Sequence, residues 1–172
     1  LADRPLYYGV ALQLPLVLVE DVFYCVTGHV MAPYHVYHMR HLYVWLIYYG
    51  ALISFYCLLM RLYRSRPLAV IGTLMIFLFP RFFAQSFYDI KDMLFVSLVM
   101  LNLACAQKVF ESGRKARWCL LFALTSALAV TARVVAAVLD VLMLLAFAWQ
   151  DVSAIRTGER ITARRLLPYV LI

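Results

Sequence analysis

The chain has 172 residues, 66% of them hydrophobic and 15% aromatic, with a formal net charge of +7 and a mean hydropathy of +0.85. A soluble domain is nearer half apolar, so the excess must be covered by lipid, and a water-soluble globular protein is excluded. The positive charge does not require nucleic acid, and no such partner is assigned, because Lys and Arg accumulate in the cytoplasmic loops of membrane proteins.

The sequence opens at Leu1-Ala2-Asp3, without Met or a signal-peptide pattern. Residues 7–26 are apolar but contain Pro15, Glu20 and Asp21. That mixture predicts a helix lying on the outer membrane surface, with Tyr7, Tyr8, Phe23 and Tyr24 at headgroup depth. Residues 27–40, interrupted by Gly28 and Pro33, read as an outer loop. Apolar spans follow at 41–63, 67–79 and 93–110. The run 118–149, roughly 32 residues, is long enough to cross a ~30 Å core more than once. Arg133 and Asp140 interrupt it, so it reads as two short spans, 118–132 and 135–149, turning at Thr131-Ala132-Arg133. A single span with Arg133 buried is the alternative. Residues 150–165 are polar and read as an inner loop or surface helix. The last residues, 166–172, begin a new apolar run, so the chain is expected to be part of one transmembrane domain. That domain would continue past residue 172 and have an earlier span and outer loop before residue 1. The fold class is all-α: a polytopic transmembrane helical bundle of about five spans, with an outer interfacial helix.

With five spans the loops alternate sides, and one side collects eleven of the sixteen basic residues. These are Arg61, Arg64 and Arg66; Lys108, Arg114, Lys115 and Arg117; and Arg156, Arg160, Arg164 and Arg165. Arg4, Arg40, Arg81, Lys91 and Arg133 take the other. The richer side is cytoplasmic by the positive-inside rule, and its charges read as plain retention charge. The outer side also carries Asp3, Glu20, Asp21, Asp89 and Asp92.

The chemistry concentrates in residues 79–93, read as a short polar hairpin between two apolar runs: Phe79-Pro80-Arg81-Phe82-Phe83-Ala84-Gln85-Ser86-Phe87-Tyr88-Asp89-Ile90-Lys91-Asp92-Met93. Charge at the edge of a hydrocarbon core is usually kept for function, such as handling a charged, lipid-soluble substrate. Asp89 and Asp92, three apart, share a face if the following helix reaches back to them. Structurally, Asp92 reads as the N-cap of the span from Met93. Functionally, one carboxylate orients an acceptor nucleophile or a metal, while Lys91 and Arg81 receive an anion. Arg133 reads either as a snorkelling interface residue or as a bidentate ligand for a lipid-linked phosphate. Asp140 lies deeper and needs neutralisation, a polar cavity or a partner, expected outside this stretch of chain. Asn102 and Gln107 read as interhelical hydrogen-bond donors and acceptors. His35, His38 and His41 recur every three residues, but no carboxylate or thiolate accompanies them as zinc ligands would require. Cys25, Cys57, Cys105 and Cys119 lack paired spacing, which argues against a disulfide framework or metal site. No GxxxxGK, HExxH, GxSxG or GxGxxG occurs.

Several of these features recur together in one known family. Tyr8-Gly9 lies in the interfacial helix, and Arg40-His41-Leu42 opens a span. Pro80, Ser86 and Asp92 follow in the pattern P-x5-S-x5-D, and Thr131-Ala132-Arg133 ends a helix rich in small residues. Over residues 5–150 the chain resembles the membrane-embedded C-type (GT-C) glycosyltransferases. These include the protein mannosyltransferases, the lipid A aminoarabinose transferases and the RgtA/B/C/D-like group. The resemblance implies inverting transfer of a sugar from a polyprenyl-phosphate donor to a protein, lipid or glycan acceptor on the periplasmic or lumenal side. A multi-pass protein of the plasma (bacterial inner) membrane is then expected. Such enzymes keep a general base in their first outer loop, upstream of residue 1 here. Asp92 matches their second acidic motif, with Asp89 beside it, and Arg133 matches their basic residue near the donor phosphate. Cations at headgroup depth (Arg81, Lys91, Arg133) would stabilise the charge developing on the departing phosphate. No soluble cofactor is implied, and a divalent metal is compatible but not indicated. Two other readings stay open. One is a transporter or flippase for an anionic lipid or solute, using Arg133 and Asp140 as a relay. The other is a non-catalytic assembly subunit.

Overall fold

The structure, a computed structural model, describes residues 9–156 and 163–171. Asp3, Arg4, Tyr7, Tyr8 and Arg160, named above, lie outside the described residues. Within them every regular element is helical: α1 (Val10–Thr27), α2 (Pro33–Tyr63), α3 (Arg66–Phe77), α4 (Pro80–Tyr88), α5 (Ile90–Glu111), α6 (Ala116–Ala132), α7 (Ala136–Arg156), a 3-10 turn (Ala163–Leu166) and α8 (Leu167–Leu171). Four helices, α1, α2, α5 and α7, are long and apolar enough to cross a membrane, and α3 with α4 makes a fifth if the bent pair counts as one span. Their outward faces stay apolar: Met75 is 70% exposed, Val138 63% and Trp149 75%. Surfaces of that kind need lipid around them, and the chain is an integral membrane protein.

Several boundaries differ from the sequence reading, each for a local reason. Gly28 closes α1 with φ 69°, its N–H donating to Tyr24 O at 2.8 Å, a left-handed turn that glycine adopts without steric cost. Pro33 then starts a helix rather than breaking one, because a first helical residue has no use for its N–H. The expected outer loop 27–40 shrinks to 28–32. At ~1.5 Å per residue, α2 runs ~46 Å, longer than a ~30 Å hydrocarbon core. Its polar and aromatic opening turns are the part suited to project beyond that core. The expected hairpin at 79–93 is instead the helix α4, started by Pro80 and bent 54° from α3. A single extended residue, Asp89, separates α4 from α5.

The run 118–149 does divide in two, at 133–135. Arg133 has an extended backbone (φ −150°, ψ 127°) and is exposed, so the single-span alternative with a buried Arg133 fails. Helix α7 continues to Arg156, taking in the first part of what was read as the inner loop. All four cysteines are free thiols.

The chain forms two compact units, residues 1–97 and 98–172. In the first, α2 packs on α3 where Gly72 lies against Leu59. A Cβ at residue 72 would stand 2.7 Å from Leu59 Cδ1, so glycine permits the close approach. Rings then run from helix to helix: Trp45–Tyr49 (4.2 Å between centroids), Tyr49–Phe77 (6.5 Å), Phe77–Phe83 (6.0 Å) and Phe83–Phe87 (5.5 Å). The near-perpendicular Phe77–Phe83 pair spans the α3–α4 bend and holds its angle. Across α1 and α2, Tyr43 Oη donates to Ala11 O at 3.0 Å, and Glu20 pairs with Arg40.

The second unit has a core of Ala106, Val109, Cys119, Phe122 and Phe147. Phe147 stacks on Phe110 at 4.4 Å and meets Phe122 edge-on at 5.5 Å. Deeper along the same helices, Asn102 Nδ2 donates to Asp140 Oδ1 (3.0 Å) and lies 3.3 Å from Ser126 Oγ. Asp140, 5% exposed, therefore finds its partner inside this chain and not beyond it. Asn102 ties α5 to α6 and α7, as its sequence position suggested, whereas Gln107 Oε1 is buried without a hydrogen-bond partner.

Candidate functional site

The first unit carries an acidic helix start beside a cavity. Asp89 Oδ1 accepts the N–H groups of Lys91 and Asp92, both at 3.1 Å, and Asp89 O accepts from Met93 N at 3.2 Å. This is N-cap geometry, which satisfies two donors that the first turn of α5 would otherwise leave unpaired. The cap is Asp89 and not Asp92, as the sequence reading had it. Helix α5 begins one turn earlier than expected because this carboxylate stops it fraying. Asp92 sits three residues on, in the first turn, where the helix dipole favours a carboxylate. It does not close a reciprocal capping box, since the Asp89 N–H donates to Gln85 O at 2.8 Å.

Asp89, Lys91 and Asp92 are thus gathered on one helix turn, all half-buried. Arg81 lies in the first turn of α4, exposed. Ser86, the middle residue of the P-x5-S-x5-D pattern, donates to Phe83 O at 2.7 Å and so is bound within its own helix. Arg133 belongs to the second unit. There its N–H donates to Ala129 O (2.9 Å), and its own carbonyl accepts from Ala136 N (3.0 Å), which shapes the α6–α7 turn.

Next to the acidic turn lies a cavity of ≈ 510 Å³. Tyr88 and Ile90, the neighbours of Asp89, form one wall; Val36, Tyr37, Arg40 and His41 of α2 form another, and Leu12 of α1 contributes. That volume suits a small molecule or a lipid headgroup. Sequence reasoning placed Arg40 among the outer-side cations, His41 in the histidine series and both at the opening of a span, without joining them to a cavity. What would have revealed their place is the helical register set by Pro33, which puts Tyr37, Arg40 and His41 on neighbouring turns.

Arg40 is held loosely. Its Nη2 is 3.9 Å from Glu20 Oε1, an ionic contact and not a hydrogen bond, and its buried Nε has no hydrogen-bond partner. His41 Nε2 is likewise buried without one. The histidine spacing has a packing explanation: the Tyr34–His38 and Tyr37–His41 rings meet at tilted angles with centroids 4.1 and 4.3 Å apart, each pair four residues apart. His38 Nδ1 is also 2.8 Å from Tyr34 O. Among the described residues no group of three or more His, Cys, Asp or Glu converges as a set of metal ligands.

A second polar cluster occurs in the second unit, around Arg114. This residue, counted above as retention charge, is only 2% exposed. Nη1 donates to Asp151 Oδ2 at 2.8 Å and to Arg165 O, and Nη2 donates to Phe147 O at 3.1 Å. The guanidinium also lies over the rings of Phe147 (5.3 Å) and Tyr169 (5.6 Å). Tyr169 Oη donates to the same Asp151 Oδ2 at 2.8 Å. Burial, then the bond to Asp151, pushes the Tyr169 phenol above its usual pKa. This cluster clasps the α5–α6 turn to α7 and α8, although Asp151 Oδ1 is buried without a hydrogen bond and meets Arg165 only at 3.8 Å.

Compared with protein-family models, curated proteins and solved structures, the chain gives no match.

Proposed function

We propose that this protein is a membrane glycosyltransferase moving a sugar from a polyprenyl-phosphate donor to an acceptor at the exoplasmic membrane surface. The observation that carries the reading is the acidic turn Asp89–Asp92 flanking a cavity of ≈ 510 Å³ that also holds Arg40. A headgroup-depth pocket with a carboxylate and a cation is what the transfer needs. The acceptor hydroxyl or amine attacks the anomeric carbon and the C1–O(phosphate) bond breaks. The phosphate leaves with the electron pair, and a carboxylate takes or positions the acceptor's proton. In this scheme Asp89 is a positioning residue that fixes the first turn of α5, and Asp92 is the catalytic candidate. Lys91 and Arg81 remain the proposed phosphate contacts of the first unit, while Arg133, in the second unit, keeps only the role that the family resemblance implies. The resemblance also places the active face in the periplasm or lumen, in a plasma (bacterial inner) membrane.

The transport alternative asks Asp140 to act as a relay with Arg133, yet Asp140 is engaged by Asn102. That bond favours a packing role for it. The test is transfer by the full-length protein in liposomes supplied with labelled polyprenyl-phosphate sugar or with the matching nucleotide sugar. Transfer from the lipid donor alone, with inversion at the anomeric carbon, is expected. Bilayer translocation of the labelled lipid without transfer would favour the flippase reading instead.

A further inference from the structure

We infer that α4 docks along a membrane–water interface as an in-plane amphipathic helix, with the bilayer thinned over it, and that lipid rather than protein covers its aromatic face. The inference is independent of the sugar-transfer reading. At 3.6 residues per turn, Arg81, Gln85 and Tyr88 share an arc of about 60° around α4. Phe79, Phe83 and Phe87 share an arc of about 80° on the opposite side. Those three rings are each about half exposed, and Arg81 and Tyr88 are exposed on the polar side. A helix divided in this way satisfies both faces only where headgroups and water meet hydrocarbon.

The aromatic face continues a surface that already needs lipid. Exposed Met75 and Leu78 lead directly into Phe79, and the Phe77–Phe83 contact joins α3 to the same face. If the bent pair crossed the membrane as one broken span, Arg81 would stand in the first turn past the break, exposed at hydrocarbon depth. Such a position is costly for a guanidinium. Lying flat, α4 instead lets Arg81 extend to the lipid phosphates while its phenylalanines enter the acyl chains. The 54° bend permits this. An α3 tilted near the upper end of the usual range, roughly 0–40°, lays α4 parallel to the membrane. Helix α3 has 12 residues, so it rises only ~18 Å through a ~30 Å core. An in-plane α4 at its end therefore requires the interface to dip toward it, as a bilayer does around a short apolar segment.

The experiment is a nitroxide scan of positions 79–88, on single substitutions such as Phe79→Cys, Arg81→Cys and Phe83→Cys. It uses the full-length protein in phosphatidylcholine vesicles, with Cys25→Ala, Cys57→Ala and Cys105→Ala removing the thiols that are not fully buried. Oxygen partitions into hydrocarbon and a neutral nickel chelate into water, so each label reports which of the two it meets. Two helical oscillations in opposite phase are expected. Nickel accessibility should be severalfold higher at 81, 85 and 88 than at 79, 83 and 87, and oxygen accessibility should show the reverse. Uniformly low nickel accessibility without oscillation would mean a crossing helix and overturns the proposal. High nickel accessibility at 79, 83 and 87, which puts α4 in water, overturns it too, as do low values of both probes there, which assign the face to protein. If labelling at 83 disturbs the Phe77 contact and the fold, positions 79 and 87 carry the same comparison. In longer-chain phosphatidylcholine the depth of residue 87 below the phosphates should stay unchanged; a depth that grows with chain length overturns the local thinning.

Discussion

Arg40 and Arg114 each face a carboxylate, in separate units of the chain, yet their surroundings are opposite. Arg114 is 2% exposed, bonds Asp151 at 2.8 Å and two carbonyls, and sits against two aromatic rings. Arg40 reaches Glu20 only at 3.9 Å and keeps a buried nitrogen without a hydrogen bond beside a cavity. The Arg114 guanidinium is engaged within the protein, although Asp151 Oδ1 beside it is buried without a hydrogen bond and meets Arg165 only at 3.8 Å, whereas on Arg40 the buried Nε itself is unpaired.

That contrast can be broken in several places. The largest effect is expected at the clasp: Arg114→Ala strands Asp151 in a buried setting and should cost about 3–5 kcal/mol, read as loss of folded protein or a collapse in Tm. Next comes Asn102→Leu, which leaves the Asp140 carboxylate without its donor and should cost roughly 1–3 kcal/mol; Asn102→Leu combined with Asp140→Leu should recover much of the loss. Asp89→Ala removes the α5 cap for about 1 kcal/mol. Asp89→Asn or Asp89→Ser should restore it, since either side chain can accept the same N–H groups. The smallest stability effect belongs to Arg40→Gln, within about 1 kcal/mol of wild type as for a half-exposed ion pair. An Arg40 variant as destabilised as Arg114→Ala would erase the distinction between the two arginines.

How much of this was legible beforehand differs between the two arginines as well. The apolar runs announced α2, α3, α5 and α7, but α1, read as interfacial because of Glu20 and Asp21, is long and apolar enough to cross, and α6, read as a span, is one of the shorter apolar helices. Arg133 announced the break between α6 and α7, because a guanidinium in the middle of a run is costly unless the chain turns there. Pro33 misled: proline marks both loop breaks and helix starts, and only packing of the following turns decides which. Asp89 and Asp92 compete for one cap in the sequence, three residues apart, and the extended backbone at residue 89 settles it. Arg114 could not be read at all. Its partners Asp151, Arg165 and Tyr169 lie 37 to 55 positions away, and a buried clasp looks identical to retention charge when only loop composition is visible.

The most direct measurement is the rate of sugar transfer from a polyprenyl-phosphate donor by full-length Asp92→Asn, normalised to folded protein. A fall of about a hundredfold or more is expected, in the range of losing a general acid–base group, with Tm close to wild type. A wild-type rate in a properly folded variant would contradict it.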